Sequence, residues 1–298
     1  MSPDAAVTAV RDAFVHYARG EWTMPPKVYV PAYPAGDFRA MPALGGGFAL
    51  LKWVSSFPGN PLQGLPTVAG LVLLSDTETG MPLAVLDAGA VTALRTGAAA
   101  VLAAETLARP GGTAAVVGAG VNGRAAARTF LARGSSVALW DVSAQRAQAV
   151  ANELGCDLAE SRDAALGADI VVTVTPGREV IFGAGSLRPG QHVSLMGADG
   201  PGKAEIADEE LARATVFCDD WEQASHNGDL GHAVEAGVVG REDVTELGPI
   251  LAGRATGRSS DDEITVFDST GLAIQDLAIA GAALERLDDL HGVPRFDL

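Results

Sequence analysis

Gly118, Gly120 and Gly123 fall in unbroken G-x-G-x-x-G spacing, and an acid, Asp141, stands eighteen residues past the last of them. Each residue type suits a pyrophosphate-bearing ligand. The first glycine permits a tight turn, the second lets the pyrophosphate approach the backbone, and the third lets helix and strand pack closely. The helix that follows offers free N–H groups to the anion. An acid ending the next strand can hydrogen-bond both hydroxyls of an adenosine ribose, which favours NAD over NADP. The plain alternative is a tight strand-to-helix turn with no ligand.

A second set of residues could meet a substrate. The chain has 21 basic residues, and only Lys27, Lys52 and Lys203 are lysine. A lysine kept amid so much arginine supplies a compact ammonium that a guanidinium cannot replace; chance placement is the alternative. Lys52, in LLKWVSSFPGNP (51–62), sits mid-strand between apolar neighbours, where a lysine usually points to water. Arg39, in GDFRAMP (36–42), lies nearby, and two cations about a strand apart would clamp a carboxylate. Arg95, in TALRTGAAA, is either a solvated face residue or a phosphate or carboxylate ligand. Its alanine and glycine neighbours would let another backbone come close. Asp199, in SLMGADGPGKAEI (194–206), follows the C-terminal end of a strand, where open α/β sheets bind ligands. There it would serve as general acid/base, or simply as a turn aspartate. The five histidines form no constellation, with His226 and His232 flanking a loop, and no spacing suits a metal.

The elements that must position these residues read as an α/β rhythm. Segment 114–117 is a short apolar strand, 125–132 an alanine-rich helix stopped by Gly134, and 137–140 a second strand. Ser143 caps a helix to about 154. Strands follow near 169–174, 192–196, 214–218 and 264–267, which together make a doubly wound parallel sheet. Ahead of this, Ser2 and Pro3 start a helix ending at Gly20, with Val7, Val10, Ala13, Phe14 and Tyr17 on one face. Proline-rich chain (24–34) carries Lys27. Strand-like 48–54 and 67–74, with a turn at 75–80, suggest an antiparallel meander. Segment 91–107 is a long alanine-rich helix, and Arg109-Pro110-Gly111-Gly112 marks a domain boundary. A last helix over 272–290, apolar on the face of Leu272, Leu277, Ala280, Leu284 and Leu287, is expected to return to the first domain.

Length and composition set the outer limits. The 298 residues suffice for two domains, and 48% hydrophobic with 19% charged residues excludes a disordered chain. Neither an uncharged apolar run long enough to span a membrane nor an export signal is evident, so a cytoplasmic protein is expected. Cys156 and Cys218 read as ordinary thiols of a reducing compartment. A formal charge of −16 argues against nucleic acid or anionic membrane as partner.

The segments GDFRAMPA, LKWVSSFPGNP, LPTV, TALRTGAAA, VVGAGVNG, GADGPGK and TVFDSTGLAIQD occur in that order. Together they resemble the ornithine cyclodeaminase/mu-crystallin family over essentially the whole chain. The resemblance implies a Rossmann NAD-binding domain over 110–271 and a discontinuous α+β substrate and dimerisation domain. The latter would span 1–109, be completed by the C-terminal helix 272–298, and form a homodimer. It further implies that Lys52 and Arg95 bind or polarise the substrate carboxylate and α-nitrogen, with Arg39 and Met41 beside them. Asp199 would handle water at the imine carbon. Lys27 stands roughly where relatives place a carboxylate-binding arginine, which leaves its role open. Thr67, Thr96, Val121, Asn122, Asp141, Thr175, Met196, Lys203 and Ser269 would line the cofactor, NAD or, less favoured, NADP.

The reactions the family implies pass hydride between a nicotinamide and an α-amino or α-imino carbon. Its cyclodeaminases carry a glutamate two residues before the Met-Pro pair, suited to a distal ammonium. Arg39 occupies that position here, and GDFRAMP resembles the alanine dehydrogenase-like branch. An NAD-dependent dehydrogenase of a small amino acid, or the reverse imine reduction, is therefore the expectation. Ornithine or lysine cyclodeamination, ketimine or pyrroline-2-carboxylate reduction, and ligand binding without turnover are the alternatives.

Overall fold

The computed structural model describes residues 1–177, 179–200, 202–287 and 292–294. The chain opens with α1 (Pro3–Ala18), started as expected by a Ser2 cap that accepts from the Ala5 amide and by Pro3 at the first turn. A five-stranded sheet follows: β1 (Val28–Ala32), β2 (Gly36–Gly45), β3 (Phe48–Ser56), β4 (Val68–Asp76) and β5 (Pro82–Asp87). Its strands pair antiparallel in sequence order. The proline-rich segment around Lys27 is thus partly strand. Pro31 is tolerated because β1 lies at the sheet edge, where one row of N–H groups needs no partner. GDFRAMP is the first half of β2 and runs beside β3, which brings Met41 opposite Lys52.

The helix α2 (Ala88–Leu107) is capped by Asp87, whose carboxylate accepts from the Gly89 and Ala90 amides. It is long and apolar enough to cross a membrane by composition, but it is the buried centre of the fold, packed on α1 and β4. Small side chains let its neighbours approach. A Cβ at Gly97 would lie 2.7 Å from the Ala125 carbonyl oxygen of the next helix.

The second unit begins with β6 (Ala114–Val117), α3 (Val121–Ala132), β7 (Val137–Trp140) and α4 (Ala144–Leu154). It continues through β8 (Asp157–Leu158), α5 (Arg162–Leu166), β9 (Ile170–Thr173), β10 (His192–Leu195), α6 (Asp208–Leu211) and β11 (Thr215–Cys218). Then come α7 (Trp221–Asn227), α8 (Leu230–Glu235), β12 (Val244–Glu246), α9 (Leu247–Leu251) and β13 (Thr265–Asp268). Its sheet is parallel throughout, in the order β12-β11-β13-β10-β9-β6-β7-β8. From β6 the chain first moves one way, to β7 and β8, and then returns to lay β9 on the other side. That reversal opens a crevice at the carboxyl ends of β6 and β9, the ligand position of such sheets.

The last helix, α10 (Ala273–Leu284), packs on α1, α2 and the inner face of β2, β3 and β4. It was expected to be apolar on one face only. Instead Ala273 through Gly281 are buried all round, because the helix is sandwiched between sheet and helices. The expected extension to 290, and the domain limit at 298, fall within 288–291 and 295–298, outside the described residues.

Candidate active site

Strand β3 alternates, with apolar residues on both faces and a lysine on the inner one. Leu51 and Trp53 face outward and are exposed, while Leu50, Lys52 and Val54 face α2 and α10. Lys52, expected to point to water on propensity alone, is 1% exposed. Its ammonium donates to Thr92 Oγ1 at 2.6 Å and to Asp276 Oδ1 at 2.8 Å. Burial pulls its pKa down to about 8, partly opposed by Asp276 and reinforced by Arg95 and Arg39. At neutral pH it is therefore a cation, held within reach of deprotonation.

Arg39 reaches in from β2 and is 7% exposed. Its Nε donates to Asp37 Oδ1 at 2.7 Å, its Nη1 to Asp199 Oδ2 at 2.6 Å, and its guanidinium lies 5.3 Å from the centre of the Tyr29 ring. The Tyr29 hydroxyl donates to the Asp199 carbonyl, so β1 and β2 both fix the loop after β10. Lys203 donates to the other carboxylate oxygen of Asp199. Burial works to raise the Asp199 pKa, but Arg39 and Lys203 overcome it and hold the carboxyl well below the usual range. Asp199 is thus a carboxylate that can accept a proton only as one of these cations lets go.

The opposite wall is the loop Ser269-Thr270-Gly271 between β13 and α10. Asp219 shapes it, accepting from Ser269 Oγ at 3.0 Å and from the Gly271 amide at 2.8 Å. Burial pushes the Asp219 pKa up to about 6, opposed by Lys27. Lys27 donates to the Thr270 carbonyl at 2.6 Å, and burial pulls its own pKa down to about 8. Arg95, on α2, lies flat against Gly271, where a Cβ would stand 2.4 Å from Nη1. Its Nε is buried without a hydrogen-bond partner among the described residues, 3.6 Å from Asp276 Oδ1.

The structure gathers Lys27, Arg39, Met41, Lys52, Arg95 and Asp199 around one cleft. Thr96, Asn122, Met196 and Ser269 line it too, on the side of the parallel sheet. Thr96 Oγ1 is buried there with no hydrogen-bond partner among the described residues. The remaining candidates lie off this wall. Thr67 is exposed just ahead of β4, beside Val68, which does line the cleft. Thr175 donates its hydroxyl to buried Glu205, and Lys203 is occupied by Asp199.

Gly118, Gly120, Val121 and Gly123 form the turn from β6 into α3, at the crevice where the strand order reverses. A Cβ at Gly123 would sit 1.7 Å from the Gly118 oxygen, so strand and helix can pack this closely only with glycine. The space at Gly120 is open, and no side chain caps the first turn of α3. Free N–H groups with room before them suit a pyrophosphate. Asp141, just after β7, accepts from the Ala119 and Ser143 amides, each at 2.7 Å, which leaves lone pairs for a diol. Arg146 Nη1 lies 3.6 Å from it. These residues fit a dinucleotide.

Sequence reasoning missed Asp276, Asp219, Thr92 and Tyr29. Asp276 carried a signal: it is the one charged residue between 269 and 284. A lone acid in so apolar a helix must either face water or meet a cation, and here it meets two.

Comparison with known proteins agrees with this architecture. The alanine dehydrogenase of Archaeoglobus fulgidus is 44% identical over 295 residues, covering 96% of this chain and 91% of that protein. Among solved structures, an archaeal alanine dehydrogenase dimer with bound NAD matches with a TM-score of 0.91 at 44% identity. It covers 97% of this chain and 93% of that one. The Δ1-pyrroline-2-carboxylate reductase of Thermococcus litoralis, in complex with NADH and L-proline, matches with a TM-score of 0.92 at 29% identity. That alignment covers all of this chain (100%) and 96% of the other. The model of the ornithine cyclodeaminase/mu-crystallin family matches residues 1–290, and the chain belongs to that family.

Proposed function

We propose that this chain is an NAD-dependent dehydrogenase of a small L-amino acid, alanine first among them. It would convert amino acid, NAD and water to 2-oxo acid, ammonium and NADH, or run the reverse. The observation that carries this reading is the meeting, beside a dinucleotide turn, of buried Lys52 and Arg39 with ionised Asp199. Arg39 also weighs against cyclodeamination, because a guanidinium offers the distal ammonium of ornithine no acceptor. Imine reduction in the reverse direction uses the same groups.

The residues divide the work. Lys52, Lys27 and Arg95 present positive charge to the substrate carboxylate, and charge-assisted hydrogen bonds fix its orientation. The turn at 118–123 and Asp141 would hold the pyrophosphate and adenosine ribose, with Thr96, Asn122, Met196 and Ser269 at the nicotinamide end. Bound NAD supplies the hydride acceptor. Asp199, freed from Arg39 or Lys203 as substrate enters, takes a proton from the water that adds to the imine carbon. Lys52, near its own pKa at neutral pH, stabilises negative charge on the departing oxo acid. Turnover of L-alanine with NAD, in a screen of small amino acids, tests the assignment; turnover of L-ornithine alone would contradict it.

NAD should be preferred over NADP by at least about tenfold in kcat/KM, or about 1.4 kcal/mol. A 2′-phosphate beside the Asp141 carboxylate would be repelled, and Arg146, exposed and 3.6 Å away, offsets this only weakly. Equal kcat/KM with the two cofactors contradicts this assignment of Asp141.

The outer face of the five-stranded sheet is apolar and open. Trp53 is 44%, Leu71 58% and Val85 63% exposed, and Val28, Val30, Leu51 and Leu73 adjoin them in register. Such a face calls for a cover. A second copy of the chain is the occupant proposed, since the archaeal relative above is a dimer. Sedimentation should give twice the 30.4 kDa chain mass at micromolar concentration, and Leu71→Asp should shift it towards the monomer. A wild-type monomer contradicts the proposal. We place the protein in the cytoplasm, in keeping with its free Cys156 and Cys218.

A further inference from the structure

We propose that Asp276 is a positioning residue for catalysis: it fixes the Lys52 ammonium so that the one N–H left over faces the substrate. The inference rests on the dehydrogenase reading above. An ammonium has three donors. Lys52 gives one to Thr92 Oγ1 and one to Asp276 Oδ1, and the residue lines the cleft. Asp276 is fully buried (0% exposed) and is not part of the cleft wall, so it acts on the substrate only through its neighbours.

Its setting does not explain it as mere structure. Around it, Leu272, Ile274, Leu277 and Ile279 are buried in an apolar sandwich. There an apolar side chain would pack at least as well as a buried ion pair. What the site does offer is a place for negative charge. Asp276 lies in the first turn of α10, whose N-terminal end favours an anion, with Lys52 Nζ at 2.8 Å and Arg95 Nε at 3.6 Å. Its second oxygen has no hydrogen-bond partner among the described residues, and its first is bonded to Lys52. The charged groups that act on Lys52 most strongly are Asp276 from α10, Arg95 from α2 and Arg39 from β2. Two of these are cations, and Asp276 opposes them. Without it, Lys52 would be a less stable cation, free to swing about its bond to Thr92.

The rarity of lysine makes the test direct. Lysine labelled with carbon-13 at Cε gives one signal for each of Lys27, Lys52 and Lys203, assigned by Lys27→Arg and Lys203→Arg. In the full-length chain with NAD, Asp276→Asn should lower the Lys52 midpoint by at least about one pH unit, while Lys27 shifts by less than half as much. In parallel, kcat/KM for alanine should fall at least about tenfold, its alkaline limb moving down with the Lys52 midpoint, and NAD affinity should hold. A purely structural pairing would also move the Lys52 midpoint, as any lost counter-charge does, but would leave kcat/KM within about twofold of wild type, and that result overturns the proposal. A Lys52 midpoint within about 0.3 unit of wild type, with kcat/KM within about twofold, overturns the proposal. If Asp276→Asn does not fold, Thr92→Val decides: it releases the other bond to Lys52 and should lower kcat at least about fivefold, and an unchanged kcat overturns the positioning account. If the wild-type chain oxidises no amino acid, the dehydrogenase reading falls, whereas an unmoved Lys52 midpoint in Asp276→Asn overturns the hold of Asp276 on Lys52 whatever the activity.

Discussion

Lys52→Arg is expected to lower kcat for alanine oxidation by about a hundredfold or more, near 2.7 kcal/mol, although it preserves the charge. The site gives the reason. The ammonium sits in a 1% exposed slot, bonded to Thr92 and Asp276, with Met41 and Val72 opposite it in neighbouring strands. A guanidinium is broader and planar, and it cannot place its donors where the ammonium's stand without displacing the neighbours of so enclosed a slot. It is also fixed as a cation, whereas Lys52 titrates near pH 8. NAD affinity should hold, because the turn at 118–123 lies on the other unit. Lys203→Arg should cost far less: its role is to pair with Asp199, which a guanidinium also does. Retention of more than about a third of kcat by Lys52→Arg would make Lys52 a structural cation and move the chemistry to Arg39 and Arg95.

Asp199→Asn is expected to cost more, about a thousandfold in kcat, or about 4 kcal/mol. The amide is nearly isosteric but cannot take a proton from water. It also leaves Lys203 and the Nη1 of Arg39 without their shared carboxylate, and although Arg39 Nε stays on Asp37, both cations can then turn to the substrate. KM for the oxo acid should accordingly stay level or fall while kcat collapses, a split that general damage to the site would not produce. The pH profile follows from the same groups. Asp199 is held ionised well below its usual range, so it should contribute no acid limb above about pH 5. Lys52 and Lys27 both titrate at about 8, and as pH rises through that value their positive charge is lost. KM for the carboxylate substrate should therefore climb above pH 8. A KM that is flat to pH 10 would remove both lysines from the carboxylate site.

Much of the nucleotide side was legible in the chain because it is local. Gly118, Gly120, Gly123 and Asp141 lie within one strand-helix-strand unit, and each is constrained by its neighbours in sequence. The rarity of lysine likewise pointed to Lys52 and Lys27. The substrate side was harder because its partners are distant. Asp276 meets Lys52 across 224 residues, and Thr92 across 40. The direction of Lys52 was misleading for a physical reason. Strand β3 carries apolar residues on both faces, exposed Leu51 and Trp53 outside and buried Leu50 and Val54 inside, and Lys52 shares the inner face with Leu50 and Val54. Prolines hid β1, and full burial hid the sidedness of α10, since a helix enclosed on all sides has no polar face to reveal its orientation.

The central claim is net oxidation at the α-carbon of a small amino acid with NAD. Purified protein mixed with NAD and L-alanine should accumulate NADH in step with pyruvate and ammonia, one for one, and L-ornithine should give far less. Ammonia released from L-ornithine with no net NADH, and none from L-alanine, would contradict the account and make the chain a cyclodeaminase.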